Sequence, residues 1–317
     1  MSINSENQEL LSELGAEISK VIKGKDEALF IVLTALLARG HVLIEDVPGV
    51  GKTTLAMALG KATGLSFRRA QFTPDVMASD ITGFTMFNKE QNRFEYRSGL
   101  VMTNIFLADE INRTSPKTQS ALLEAMEERH VTVDGTVHRL PDPFMVIATQ
   151  NSGECVGTFP LPEAQLDRFM MKISMGYPTI EQEVQILMDR LDENPAENVQ
   201  NVMTAEQLEA CIEEAGNVMF AESLCRYVAN LASATRNHPA VALGVSPRAS
   251  VAIMQASKAF AYLRGRDYVI PEDIVRLLIP VFEHRIVLKR ETRLNKATVR
   301  QVLEDVVSAV TPPIKRN

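Results

Sequence analysis

Apolar residues follow helical and strand-like spacing in turn along the first half of the chain. Over residues 10–21 they recur every three to four positions, which predicts an amphipathic helix. A second helical stretch covers residues 26–39 and ends at Gly40, a common helix stop. Short apolar runs predict buried strands at residues 41–45, 66–72, 104–108, 144–149 and 169–174. Because helical stretches separate these strands, we expect a parallel sheet covered by helices on both faces.

Two stretches of alternating polar and apolar residues interrupt this order. Residues 84–97 place a polar turn between two strand-like pieces. Residues 131–138 carry Asp134-Gly135 between β-branched residues, a strong hairpin signal. Since the sheet does not need either stretch, we expect two hairpin insertions at the surface.

The second half of the chain has helical periodicity and no convincing strand. The predicted helices cover residues 179–192, 204–215, 220–236, 247–264, 271–282 and 296–309. We therefore predict an α/β core over residues 1–177 and an all-helical domain over residues 178–317.

Composition narrows the class of protein. The 317 residues are 45% hydrophobic and 23% charged, as in ordinary folded domains. The net charge of −7 argues against broad nucleic-acid binding, which needs a basic face. One local basic stripe, predicted to be a solvated helix face or a subunit contact, comprises Lys289, Arg290, Arg293, Lys296 and Arg300.

The chain also suggests where the protein works. Its N-terminus does not resemble a signal peptide, and no apolar run approaches the ~18 residues of a membrane span. The odd set of Cys155, Cys211 and Cys225 is typical of reduced thiols, so we expect a cytoplasmic protein. The five histidines form no metal-binding pair.

The most specific motif follows the first predicted strand and opens a helix. It is the phosphate loop Pro48, Gly49, Val50, Gly51, Lys52, Thr53 and Thr54. Glycines allow successive backbone N–H groups to surround a phosphate, and the helix N-terminus favours negative charge. Lys52 is expected at the β- and γ-phosphates of ATP, and Thr53 at Mg²⁺. Asp46 stands where the usual pattern begins with glycine.

Polar residues end two later buried strands. Asp109 and Glu110 close the run over residues 104–108, where adjacent carboxylates need a cation or water. In a protein with a phosphate loop, we expect Asp109 to hold the water shell of Mg²⁺ and Glu110 to polarise the attacking water. Asn151 follows the next strand and is expected to orient that water at the same sheet edge. An ordinary strand-end turn is the alternative for Asn151.

Two arginines complete the candidate site. Arg168 precedes a predicted strand, and it suits the neutralisation of a transferring phosphoryl group across a subunit boundary. A surface ion pair with Asp167 or Glu163 is its alternative. Arg248 lies in the first turn of a helix, where a cation needs a nearby anion. ATP phosphate or a neighbouring carboxylate meets that need.

In this order the motifs resemble those of AAA+ ATPases, and the wordings ADEINR, PKTQSALLEAMEER, VTVDG, ATQN, LPEAQLDRF and SPRA resemble the MoxR family. The resemblance assigns Gly49 to Thr54 to Walker A, and Asp109 with Glu110 to Walker B. It makes Asn151 sensor 1, Arg168 the arginine finger and Arg248 sensor 2. It places adenine at the stretch from Ile22 to Gly24. The wording after Asn151, through Cys155 to Gly157, departs from the family pattern.

The resemblance implies ATP with Mg²⁺ between the core and a C-terminal lid, and a homo-oligomeric ring, most often of six. It implies chaperone-like remodelling of client proteins, some with a von Willebrand factor A domain. Two other functions stay open: a nucleotide-dependent switch with slow hydrolysis, and a DNA-associated motor, which the acidic balance disfavours.

Overall fold

The computed structural model describes residues 4–151, 157–192, 195–294 and 298–313. Its centre is a five-stranded parallel sheet in the order β2-β5-β8-β1-β9. These strands are β1 (Val42–Asp46), β2 (Phe67–Gln71), β5 (Ile105–Asp109), β8 (Met145–Asn151) and β9 (Met171–Ile173). The predicted parallel sheet is confirmed.

Helices cover both faces of the sheet, as expected for strands that are apolar throughout. The core helices are α1 (Ser5–Ser19), α2 (Asp26–Leu37), α3 (Lys52–Ala62), α4 (Ala78–Thr82), α5 (Pro116–Glu128) and α6 (Glu163–Leu166). One apolar cluster includes α1, α2 and α3, and a second includes α4 and α5. The short helices α4 and α6 had no counterpart in the prediction.

Strand register brings distant residues to one edge of the sheet. Asp46 at the end of β1 lies opposite Asn151 on β8, and Asp109 at the end of β5 lies opposite Gln71 on β2. Ligands of open α/β sheets bind at this carboxyl edge. The fold therefore gathers the predicted polar residues in one place.

Both predicted hairpins are present and contact each other. The first pairs β3 (Gly83–Asn88) with β4 (Arg93–Ser98), and the second pairs β6 (His130–Val133) with β7 (Thr136–Arg139). The ring of Tyr96 stacks on that of His138, with centroids 3.7 Å apart. Tyr96 also donates a hydrogen bond of 2.6 Å from its hydroxyl to the carbonyl of Thr82.

The second half is helical, with one departure from the prediction. Its helices are α7 (Ile180–Asp192), α8 (Ala205–Gly216), α9 (Glu222–Asn237), α10 (Pro247–Leu263), α11 (Pro271–Phe282), α12 (Arg290–Leu294) and α13 (Val299–Ala309). The expectation of no strand there was wrong, because β10 (Val241–Leu243) pairs with β11 (Val287–Leu288). Strands of three and two residues are too short to give a period. The boundary near residue 177 stays a prediction, since buried side chains from both halves share one cluster.

The described residues bear on several compositional predictions. In this part of the chain, none of the helices has the length and apolar content that a membrane span requires. Cys211 is a buried free thiol and Cys225 an exposed one. Lys289, Arg290 and Arg300 are exposed. Cys155 and Lys296, and the side chain of Arg293, lie outside the described residues.

Candidate functional site

The phosphate loop joins β1 to α3 through two glycines with left-handed backbones. Gly49 has φ +85° and Gly51 has φ +96°, values that side chains disfavour. A Cβ at Gly49 would meet no atom within 4 Å, so the loop faces open space. Lys52 is buried at the start of α3, and its Nζ donates to the Asp46 carbonyl (3.0 Å) and to Asn151 Oδ1 (3.2 Å). Burial lowers the pKa of Lys52, and the nearby carboxylates of Asp46, Asp109 and Glu110 oppose this shift.

Asp46 has a structural task at the position where the usual motif has glycine. Its Oδ2 accepts hydrogen bonds from Ser174 Oγ (2.9 Å), Met175 N (2.5 Å) and Gly176 N (2.6 Å), and its Oδ1 accepts one from Val47 N (2.8 Å). Burial alone would raise the pKa of this carboxyl, but these four donors bring it below its usual value. Asp46 therefore ties the start of the phosphate loop to the chain after β9.

At the end of β5, two side chains contact the carboxylate of Asp109. Thr149 Oγ1 donates to Oδ1 at 2.6 Å. Arg69 on β2 donates to Oδ2 from Nε (3.2 Å) and from a terminal nitrogen (2.7 Å). Arg69 lies on β2, an edge strand of the sheet, and its side chain lines a cavity at this edge.

Glu110 adopts a strained backbone that turns its side chain toward Asn151. Its φ is +58°, an uncommon value for a residue with a Cβ and one that recurs at functional sites. Asn151 Nδ2 donates to Glu110 Oε1 (3.0 Å), and Arg113 donates to Oε2 (2.8 Å). Together with the bond from Lys52 to Asn151, these contacts form a continuous chain of polar groups.

These residues line one cavity of about 430 Å³, within the range of small-molecule sites. From the predicted set it contains Ile22, Pro48, Gly49, Val50, Gly51, Lys52, Thr53, Thr54, Asp109, Glu110 and Asn151. Its opposite wall includes Pro178 and Ile186, the latter on α7. The cavity thus combines a phosphate cradle with an apolar slot.

Gly24 differs from its predicted neighbours because it does not line this cavity. Its φ is +67°, and a Cβ there would meet the side chain of Gln182 on α7 at 1.9 Å. The glycine therefore allows α7 to approach the loop that follows α1. Lys25 strengthens this approach by donating from Nζ to the carbonyls of Gly176 and Tyr177, both at 2.9 Å.

Arg168 and Arg248 lie together, away from the cavity of their own chain. They line a second cavity, of about 260 Å³. Glu127 on α5 joins them, with Oε2 3.3 Å from Arg168 and Oε1 3.2 Å from Arg248. The partner of Arg248 within this chain is therefore the carboxylate of the alternative interpretation. Arg168 pairs with Glu127 rather than with Asp167 or Glu163.

Asp167 fixes this arrangement by joining the core to the lid. Ser246 Oγ, at the N-terminus of α10, donates to Asp167 Oδ2 (3.0 Å). The buried Arg285 donates from Nε to Asp167 Oδ1 (2.5 Å) and from another nitrogen to the Phe169 carbonyl (2.7 Å). Asp167 precedes Arg168 in the chain and Ser246 lies two residues before Arg248, so these bonds hold the two chain segments together. Arg168 itself also donates to the Leu123 carbonyl (2.7 Å).

Sequence reasoning missed Arg69, Glu127 and Thr149. The only signal for Arg69 was a pair of adjacent arginines in a predicted strand. Glu127 is one of several acidic residues on α5, and only the fold distinguishes it from the others.

Comparisons with known proteins agree with this geometry. A family described as "ATPase family associated with various cellular activities (AAA)" matches residues 41–171, and an AAA lid domain family matches residues 233–306. The protein "Chaperone MoxR1" of Mycobacterium tuberculosis is 40% identical over 94% of this chain and 81% of its own length. The chain belongs to the MoxR family of AAA ATPases.

Other relatives extend the match along the whole chain. The uncharacterized protein YeaC of Bacillus subtilis is 47% identical over 100% of this chain and 99% of its own. A crystal structure of a candidate ATPase from Cytophaga hutchinsonii has a TM-score of 0.91 at 36% identity, covering 98% of this chain and 96% of its own. This MoxR-family chain is thus a nucleotide-binding ATPase with an AAA core and a helical lid.

Proposed function

We propose that this MoxR-family ATPase binds ATP with Mg²⁺ in the 430 Å³ cavity and hydrolyses it with arginines supplied by a neighbouring copy. The observation that carries the proposal is the separation of Arg168 and Arg248 from their own cavity, which contains the other predicted catalytic groups. An arginine beside the transferring phosphoryl group contributes strongly to such reactions. The site then becomes complete only between two subunits.

The residues of the cavity suit this substrate. The phosphate loop offers backbone N–H groups and Lys52 to the triphosphate, and Val21, Ile22, Pro178 and Ile186 form an apolar slot for adenine. Thr53 and Asp109 line the same cavity and carry the oxygen donors that Mg²⁺ prefers. A bound Mg²⁺ would neutralise charge on the β- and γ-phosphates.

The chain's own groups can activate water. In this proposal Glu110 takes a proton from the attacking water. Asn151, which donates a hydrogen bond of 3.0 Å to Glu110, orients both Glu110 and that water. Lys52 contacts Asn151, so a phosphate that draws Lys52 away would change the hydrogen bonding of Glu110. Catalysis by positioned carboxylates of this kind contributes roughly 10² to 10⁴ in rate.

The biological output we propose is chaperone-like remodelling of client proteins by a homo-oligomeric ring of six in the cytoplasm. Support comes from the printed name of the M. tuberculosis relative and from the reduced-thiol pattern. Clients with a von Willebrand factor A domain are the partners that family resemblance suggests. Of the alternatives, neither the switch nor the DNA motor gains support from these comparisons.

The test uses two inactive variants. Arg168→Ala keeps its cavity, and Glu110→Gln keeps its arginines. We expect specific ATPase activity of the wild type to rise steeply with protein concentration. We also expect a mixture of the two variants to recover activity that neither has alone. Activity that stays constant down to concentrations where the protein is monomeric would overturn the shared site.

A further inference from the structure

Helix α7 exposes a continuous apolar stripe. Four of its members follow at spacings of four, three and four residues, so they share one helical face, and Met188 lies beside them. The stripe comprises Ile180, Val184, Leu187, Met188 and Leu191, each between 53% and 78% exposed. Contiguous apolar surface on a soluble protein marks an interaction site.

The other side of α7 belongs to the nucleotide cavity. Ile186 and Asp189 line it, and Asp189 pairs with Lys23 at 3.2 Å. Gln182 packs against Gly24 on the loop that we assign to adenine. The helix is therefore a thin wall, with the cavity on one side and the apolar stripe on the other.

A second surface of the chain, around the 260 Å³ cavity, has properties that suit contact with the α7 stripe of another copy. Five arginines and two carboxylates line that cavity. Val251, one turn after Arg248 on α10, adds an apolar side chain that is 49% exposed. We call this surface the arginine face. It combines positive charge with apolar contact.

The two surfaces carry complementary charge. Helix α7 carries Glu181 and Glu183 in its first turn, and both are exposed. The arginine face is basic, and complementary charge favours correct association over incorrect pairing. A contact between two different surfaces of identical chains is head-to-tail, and it can close into a ring.

We infer that the α7 stripe is the surface on which the arginine face of a second copy of this chain docks. This inference rests on the proposed function, because Arg168 and Arg248 must reach a neighbour's cavity and α7 forms a wall of that cavity. It adds that docking and nucleotide binding are linked through α7. By reciprocity, nucleotide should strengthen assembly by the same factor by which assembly strengthens nucleotide binding.

The first test adds charge to the stripe. Leu187→Lys/Leu191→Lys should raise the protein concentration at half-assembly, measured by sedimentation with ATPγS, at least ~100-fold, since the new positive charges would be buried against the arginines of the partner. At protein concentrations where the wild type is also unassembled, the variant should bind a fluorescent ATP analogue as the wild type does, which also shows that it is folded. Met219→Lys, at an exposed methionine (62%) outside α7, is the control for added positive charge and should assemble normally. Wild-type assembly of the double variant would overturn the inference.

The second test asks which surfaces meet. The Leu187→Lys/Leu191→Lys chain keeps its arginines, and Arg168→Ala keeps its α7 stripe, so one intact contact forms between them. We expect this mixture to regain ATPase activity. If it stays inactive while the Glu110→Gln and Arg168→Ala mixture recovers, the docking surface is wrong and the proposed function stands. If neither mixture recovers, the shared site itself fails.

Discussion

Arg248 on the lid reaches across to Glu127 on the core, at 3.2 Å. The second oxygen of the same carboxylate lies 3.3 Å from Arg168. One acidic side chain thus holds two arginines that come from different halves of the chain. A neighbour's phosphate that approaches this face would meet two arginines that Glu127 already holds in position.

We expect Glu127→Gln to lower the ATPase turnover of the assembled protein by about 10-fold, because each arginine loses a charged partner. Nucleotide binding to the cavity of the same chain should not change. In the double variant Glu127→Gln/Arg168→Ala, the loss should be close to that of Arg168→Ala alone, since both act at one contact. Glu124→Gln on the exposed side of α5 is the control. Additive losses would show that Glu127 does not act through Arg168.

Glu110→Gln tests the group assigned to water activation. The amide keeps an oxygen that can accept the hydrogen bond from Asn151, but it cannot take a proton. We predict ATP binding within a few-fold of wild type and turnover lower by about 10² to 10⁴. Steady-state hydrolysis and equilibrium binding of labelled ATP measure the two effects separately. Unchanged turnover would refute this role for Glu110.

Asp46→Asn should destabilise the fold, because three donors converge on one carboxylate oxygen. We expect the free energy of unfolding to fall by roughly 1–3 kcal/mol at pH 7. Glu45→Gln, which breaks only a partly exposed pair with Lys172, should cost less than about 1 kcal/mol. Urea unfolding of both variants makes the comparison.

The acid dependence of the Asp46 effect has a definite sign. Folding lowers the pKa of this carboxyl, so its stabilisation is full above the unfolded pKa and is lost as pH falls through the folded pKa. The difference between wild type and Asp46→Asn should therefore shrink below about pH 4. A difference that grows toward low pH would contradict the assignment.

His41 predicts a second pH effect, at milder acidity. Its Nδ1 accepts a hydrogen bond from Val146 N (3.0 Å), and its Nε2 lies 3.1 Å from the Met126 carbonyl, so the neutral ring fits both partners. Burial, with the positive charges of Arg129 and Arg248, lowers the pKa of His41 from 6.5 to about 3. Between these values the unfolded chain binds a proton that the folded chain does not. The native state thus loses stability as pH falls from 6.5 toward 3.

The measurement compares wild type with His41→Gln, in which the carboxylates common to both chains cancel. We expect wild type to lose roughly 1.4 kcal/mol more per pH unit between about pH 6 and pH 4. Urea unfolding at several pH values in this range gives the slopes. Equal slopes would mean that His41 is protonated in the native state or is not buried.

The sequence predicted the parts of the fold that depend on local pattern. Buried parallel strands are apolar throughout, and the phosphate loop needs its glycines in a fixed order, so both are visible in one dimension. Contacts that depend on packing were not visible. Glu127 joins Arg168 to Arg248 across 41 and 121 positions of the chain, and nothing in the periodicity of α5 distinguishes it.

For Arg248 the sequence predicted the kind of partner but not which residue it is. Its place in the first turn of a helix correctly indicated that an anion must be near. Within this chain the anion is the Glu127 carboxylate. That contact depends on how the lid packs on the core, where Asp167 bonds to Ser246 and Arg285. The strands β10 and β11 were missed for a simpler reason. They have only three and two residues, too few to show an alternating pattern of apolar and polar side chains.

The stack of Tyr96 on His138 has a mechanical consequence. The two hairpins leave the core at separate points, one after α4 and the other after α5. Since the rings join them side by side, a load on either hairpin is divided between two roots. The joined pair should therefore resist bending more than either hairpin would alone.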